Sequence, residues 1–241
     1  MLRGFFQGLA NIFYPKVCLA CRSVLTDSAA VDLICAKCWG KIEKNAPPFC
    51  SSCGRRLESR SFAKNICPRC LRNKSHFDRA FSPCVYTGVV KELIHAFKYK
   101  GKEHLGGPLS RLMIDFVREY ALPIKDMEFI VPIPLHKTRM REREFNQAKI
   151  LSDYLGREFN KPVAENLLVR SRYTRTQTEL ELSQRMLNVK GSFRLSGRDN
   201  LKGKNILLVD DVLTTGATSS EAAYVLKEAG ANIVFVLTLA N

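Results

Sequence analysis

The sequence predicts an α/β domain, an open and mainly parallel sheet flanked by helices, preceded by a small domain organised by paired cysteines. Three observations carry this expectation. Eight of the nine cysteines fall into four Cys-x-x-Cys pairs within the first 70 residues. Beyond about Ala80, short apolar runs rich in β-formers alternate with amphipathic helical patterns. One of those runs, Ile206–Val209, ends in two adjacent acids and a loop of threonines around a glycine. The boundary implied by the change in composition divides the chain into residues 1–79 and 80–241.

At the N-terminus, Met1–Pro15 places Leu2, Phe5, Phe6, Leu9, Ile12 and Phe13 at helical spacing, which predicts a short helix packed on the protein. Gly4, Gln7, Gly8 and Asn11 interrupt the pattern and make it a poor signal-peptide core. No apolar run approaches the ~20 residues of a membrane-spanning helix. A cytoplasmic protein without a membrane span is the resulting expectation.

The cysteines form an internal repeat. Cys18-x-x-Cys21 is followed after thirteen residues by Cys35-x-x-Cys38; Cys50-x-x-Cys53 is followed, again after thirteen, by Cys67-x-x-Cys70. A two-residue gap lets both sulfurs of a knuckle reach one ion at ~2.3 Å, and two knuckles complete a tetrahedron. A disulfide framework belongs to secreted proteins, and four tandem pairs do not resemble a redox dithiol. The eight thiols are therefore candidate ligands of one or two structural Zn²⁺ ions. Spacing leaves open whether each ion is held within a unit or between interleaved knuckles. Complete knuckles leave no position for catalytic water, and a domain this small relies on metal for stability. Cys84, in an apolar stretch, is expected to be a buried thiol.

In the second domain, Phe129–Ile133, Leu167–Val169, Ile206–Val209 and Ile233–Leu237 read as strands. Asn146–Phe159 and Thr218–Ala229, the latter closed by Gly230, read as helices, and Thr218-Ser-Ser-Glu221 has the form of a capping box. The chemistry concentrates in Ile206–Thr218. Ligands of open α/β sheets bind at the carboxyl ends of strands. There, Asp210 and Asp211 are acceptors suited to the hydroxyls of a ribose. The loop Val212, Leu213, Thr214, Thr215, Gly216, Ala217 and Thr218 presents successive backbone N–H groups and a helix N-terminus to a phosphate. A sugar-hydroxyl face beside one monophosphate pocket describes a ribose 5-phosphate. Neither G-x-x-x-x-G-K-[ST] nor a strand-borne G-x-G-x-x-G is present.

This stretch resembles the phosphoribosyl-pyrophosphate (PRPP) motif of type I phosphoribosyltransferases. The resemblance implies that fold, with PRPP and Mg²⁺ bound at Asp210–Thr218. It narrows with Leu93–Gly101, Val131–Arg139, Phe145-Asn-Gln-Ala148 and Thr174-x-x-Gln177 followed by Leu180, Arg185 and Asn188. Together with the cysteine domain, these segments are similar to the ComF family. That family is associated with DNA uptake in natural competence. It usually has Gly where Glu144 stands here, and often Ser where Glu181 stands. By the same resemblance Val131–Arg139 corresponds to the pyrophosphate loop, with Pro134, Leu135, His136, Lys137 and Arg139 as its candidate residues. Tyr173–Asn188 is polar and basic, as expected of a mobile loop over PRPP, with Thr174, Arg175, Gln177 and Arg185 as candidates. No histidine shows ligand spacing or stands out as a general base, and Lys98 reads as a snorkelling lysine.

The formal net charge is +15, with 14 Lys/Arg against 5 Asp/Glu in the first 80 residues. Two functions accommodate it. The first is phosphoribosyl transfer from PRPP to an acceptor the sequence does not name. The second is DNA processing, in which the basic surface binds single-stranded DNA or a competence helicase-like protein and PRPP regulates.

Overall fold

The computed structural model describes residues 16–25, 33–58, 65–99, 102–173, 188–197 and 200–241. The predicted N-terminal helix and the loop candidates Thr174, Arg175, Gln177 and Arg185 lie outside them. Four strands form the main sheet: β1 (Arg79–Phe81), β2 (Phe129–Pro132), β5 (Asn205–Val212) and β6 (Ile233–Ala240). Their order is β1-β6-β5-β2, and every pairing is parallel. Register sets Val209 opposite both Pro132 and Leu237.

Alternation along the strands divides the apolar residues between two faces. Phe81, Ile130, Leu207, Val209, Leu237 and Leu239 share one core with α3 (Gly88–Phe97), α4 (Gly106–Glu119) and α6 (Gln147–Phe159). In α3 the buried Val90, Leu93, Ile94 and Phe97 are the i, i+3, i+4, i+7 stripe of an amphipathic helix. On the other face Ala80, Val131, Ile206, Leu208, Val234 and Val236 pack with α7 (Ala217–Glu228). That face also receives a two-stranded antiparallel ribbon of β3 (Leu168–Arg170) and β4 (Phe193–Leu195). The predicted strand at Leu167–Val169 thus forms, one residue further on, in a ribbon outside the parallel sheet. Its pattern of one buried and two half-buried residues differs from the buried runs Ile206–Val209 in β5 and Val236–Ala240 in β6. A short helix α5 (Lys137–Arg143) follows β2.

The capping-box expectation is not met. Helix α7 has Gly216 as N-cap, in the left-handed region (φ +77°), with no side-chain cap bond. Glu221 instead accepts a 2.6 Å bond from Gly191 N–H. Threonine at position 218 falls inside the first helical turn, because the glycine lets the chain turn sharply from the loop into the helix.

The cysteine repeat persists down to single hydrogen bonds. Cys18 N–H donates to Ser23 O and Cys50 N–H to Arg55 O, both at 2.8 Å. Arg22 and Gly54, 32 residues apart, both have positive φ. Gly54 has a second reason to be glycine: a Cβ there would lie 2.3 Å from the Ala80 carbonyl oxygen. The second knuckle of each unit opens a short helix, α1 (Ala36–Trp39) and α2 (Pro68–Arg72). The units straddle β1. Cys18, Leu19, Ile34, Cys38 and Ile42 join the first core; Cys50, Cys53, Leu57 and Cys67 join the second. Asn45, 2% exposed, fastens the junction by donating to Gly54 O and Ser82 O at 2.9 Å each. No helix among the described residues is long and apolar enough to cross a membrane.

Candidate functional site

Beyond the carboxyl ends of β2 and β5 lies a cleft of about 240 Å³. Its walls include Tyr86, Lys98, Pro134, Leu135, Arg139, Arg143, Asn146, Gln147, Arg170, Asp210, Asp211, Val212, Thr214 and Thr218. The two acids continue β5 and lie in partly buried positions at the cleft. Asp211 Oδ2 is 2.9 Å from Lys98 Nζ. Asp211 N–H donates to Asp210 Oδ1 at 2.9 Å. Burial pushes the Asp210 carboxyl up to about 7, the neighbouring Asp211 charge adds to this, and Lys98 and Arg170 oppose it. Arg143 and Arg170 are both moved below the usual guanidinium value by burial, against the pull of these acids.

The arginines are held by the local sequence. Asn146 caps α6 through Ala148 N–H at 3.1 Å and donates to Ile133 O at 3.1 Å. Gln147, 2% exposed, donates to Phe97 O at 3.2 Å and accepts from Arg143 Nη1 at 3.0 Å. Asn146 and Gln147 therefore tie the start of α6 to the chain just past β2 and to the end of α3, and aim Arg143. Glu144, C-cap of α5, is left-handed (φ +68°), the conformation that favours glycine.

The phosphate-loop candidates divide between two sides. Val212, Thr214 and Thr218 face the cleft. Leu213, Thr215, Gly216 and Ala217 line a smaller crevice against the second cysteine unit. Thr215 Oγ1 accepts from Ala217 N–H at 3.3 Å, bending the loop over the helix start. Of the pyrophosphate-loop candidates, Pro134, Leu135 and Arg139 line the cleft. His136 caps α5, its Nδ1 accepting from Thr138 N–H at 3.2 Å, and Lys137 is exposed. Lys98 is no mere snorkelling side chain, since it pairs with Asp211. Arg170 was invisible as a motif; the available signal was a basic residue at the carboxyl end of a strand.

The eight cysteines form two separate groups, Cys18/Cys21/Cys35/Cys38 and Cys50/Cys53/Cys67/Cys70, whose sulfurs lie within 4.8 Å of one another. Pairing is thus within each unit. Cys21 Sγ to Cys35 Sγ and Cys53 Sγ to Cys67 Sγ are both 3.8 Å, and a tetrahedron with ~2.3 Å metal–sulfur bonds has edges of about 3.8 Å. Backbone N–H groups of Cys35 and Cys67 donate to Cys18 Sγ (3.4 Å) and Cys50 Sγ (3.3 Å). Thiolates so spaced and supported fit zinc. Cys84 belongs to neither group; it is fully buried, and burial pushes its thiol up to about 12.

The chain is 30% identical over 232 residues to Competence protein F of Haemophilus influenzae, covering 95% of this chain and 98% of that one. The chain belongs to the ComF family. A second ComF relative, DNA utilization protein YhgH of Escherichia coli K12, is 31% identical over 229 residues, 93% of this chain and 96% of that one. Residues 9–71 match the double zinc ribbon domain, and residues 147–241 match the phosphoribosyl transferase domain. Among solved structures, glutamine PRPP amidotransferase from B. subtilis, complexed with ADP and GMP, aligns with a TM-score of 0.40 and 19% identity. That alignment covers 61% of this chain and 30% of the other. The ComF chain thus combines a zinc-ribbon region, with two sites of four cysteines each, and a parallel-sheet domain of phosphoribosyltransferase fold.

Proposed function

We propose that the cleft binds PRPP with Mg²⁺ and that the protein acts as a phosphoribosyltransferase toward an acceptor nucleophile. The observation that carries this reading is the ring of Lys98, Arg139, Arg143 and Arg170 around Asp210 and Asp211 at the strand ends. Four cations beside two carboxylates give the cleft lining a positive balance that suits a ligand with a polyphosphate arm. The Thr214–Thr218 turn receives the 5-phosphate on its backbone N–H groups and hydroxyls. Asp210 and Asp211 accept hydrogen bonds from the ribose 2- and 3-hydroxyls. Arg139 and the backbone after Ile133 face the pyrophosphate. The acceptor forms a bond to C1 as the bond from C1 to pyrophosphate oxygen breaks, and the departing oxygens carry the electron pair. Magnesium bound with PRPP in the cleft would supply positive charge to neutralise the leaving group. The chain's own part is to orient C1, exclude water and counter the charge that develops.

Calorimetric titration with PRPP and Mg²⁺, with ribose 5-phosphate and ATP as comparisons, tests the reading. Selective binding of PRPP is expected, and Asp210→Asn with Asp211→Asn reduces the affinity at least about a hundredfold with zinc content unchanged. Equal affinity in the double variant would show that the acids do not touch the ligand.

The names of the two relatives favour a second reading, a non-catalytic DNA-processing factor regulated by PRPP. There the basic chain binds single-stranded DNA or a helicase-like partner. Salt-dependent binding of single-stranded oligonucleotides that PRPP alters, without pyrophosphate release under any acceptor, would select it.

A further inference from the structure

The second cysteine unit is the floor beneath the phosphate loop. Arg69 lies between the ligand-bearing Cys67 and Cys70, and its Nη1 donates to the Thr214 carbonyl oxygen at 2.6 Å. The crevice behind the loop is lined by Cys53, Arg69, Cys70 and Phe77 on one wall and by Thr215, Gly216 and Ala217 on the other. The first unit has no such access. Cys18 and Cys38 pack in the core on the opposite face of the sheet, and none of its cysteines lines the cleft or the crevice.

Little besides the cysteines fixes Arg69. Helix α2 has five residues, no side-chain N-cap bond and no buried residue of its own. Its anchors are Cys67 at the N-cap, whose N–H donates to Cys50 Sγ, and Cys70 within the helix. A five-residue helix does not persist in water unaided. A metal bound to both cysteines therefore sets where the guanidinium sits. By contrast, the chain just beyond is tied independently. His76 N–H donates to Ser220 Oγ at 3.0 Å, and Asp78 Oδ2 pairs with Lys227 Nζ at 2.7 Å. Loss of metal would thus release the Arg69 bond to Thr214 while leaving the Phe77 side of the loop in place.

We propose that Arg69 is a positioning residue through which metal in the Cys50/Cys53/Cys67/Cys70 site orders the Thr214–Thr218 loop, and that the Cys18/Cys21/Cys35/Cys38 site has no part in this. The consequence for PRPP rests on the function proposed above; the consequence for loop order does not. The charged donor restrains the Thr214 peptide and, through it, the direction of the N–H groups that follow. A loop already held in one conformation loses less freedom when a phosphate binds.

Two measurements on the full-length, zinc-loaded protein and its Arg69→Ala and Arg69→Lys variants decide the matter. Amide hydrogen exchange over residues 213–220 is expected to accelerate roughly tenfold in Arg69→Ala with two zinc ions retained, and to be partly restored in Arg69→Lys. PRPP affinity by calorimetry is expected to fall by a similar factor. Cys18→Ser with Cys21→Ser, which empties the first site, leaves the exchange of 213–220 unchanged. Unaltered exchange in Arg69→Ala, or equal acceleration from emptying the first site, would overturn the proposal. Failure of the wild-type protein to bind PRPP would overturn the proposed function instead, while the exchange arm still decides the role of Arg69.

Discussion

Asp210 meets two opposed demands, accepting hydrogen bonds as an anion while sitting in a poorly hydrated place beside a second carboxylate. Its pKa, pushed up to about 7 from the ordinary 3.8, has a signed consequence for stability. Between about pH 4 and 7 the folded protein keeps a proton that the unfolded chain has released. Stability therefore falls as pH rises through that window, and the penalty is complete above it. Asp210→Asn in the ligand-free protein removes the penalty. Its thermal midpoint is expected to exceed that of wild type at pH 8, by the equivalent of about 4 kcal/mol, and to match it near pH 4. A lower midpoint at pH 8 would mean that attraction to Lys98 and Arg170 outweighs burial. At Glu144 the strain is in the backbone. The left-handed C-cap favours glycine, so Glu144→Gly is expected to raise stability by about 0.5–1 kcal/mol in denaturant unfolding. A loss of stability would show that contacts of the glutamate side chain outweigh the strain.

Among the elements, the cysteine units and the β5–α7 junction were readable from residues alone, because their chemistry is local. A Cys-x-x-Cys knuckle has one geometry, and a buried strand ending in Asp210 and Asp211 must place them at the sheet's carboxyl edge. Which knuckles pair was not readable, since equal thirteen-residue gaps permit either arrangement; the fold decides it by putting the units on opposite sides of β1. Arg170 escaped for a related reason. It reaches the cleft only because β3 and β4 form a separate ribbon, a tertiary fact with no local signature. The box-like Thr218-Ser-Ser-Glu221 misled because Gly216 was available to start the helix earlier. Paired ligands within units predict a definite stoichiometry. The wild-type protein should bind two zinc ions, and each double variant, Cys18→Ser with Cys21→Ser or Cys50→Ser with Cys53→Ser, should bind one, read by atomic absorption. Loss of both ions from either variant would contradict independent sites. Cys84 should stay unlabelled by thiol reagents until the protein unfolds.

Across the whole molecule, one chain arranges two zinc-ribbon units around the edge of a phosphoribosyltransferase-type sheet so that one of them backs the proposed ligand loop. Asn45, the Cys84–Lys44 bridge and the two shared cores join ribbon and sheet. Four basic residues of the chain, Lys98, Arg139, Arg143 and Arg170, line the cleft where polyphosphate would bind. The most direct measurement is a crystal structure of the protein with PRPP and Mg²⁺. The expected density has the 5-phosphate on the Thr214–Thr218 turn, the ribose hydroxyls on Asp210 and Asp211, and the pyrophosphate toward Arg139. Density for PRPP outside this cleft, or in the reverse direction along it, would contradict the account.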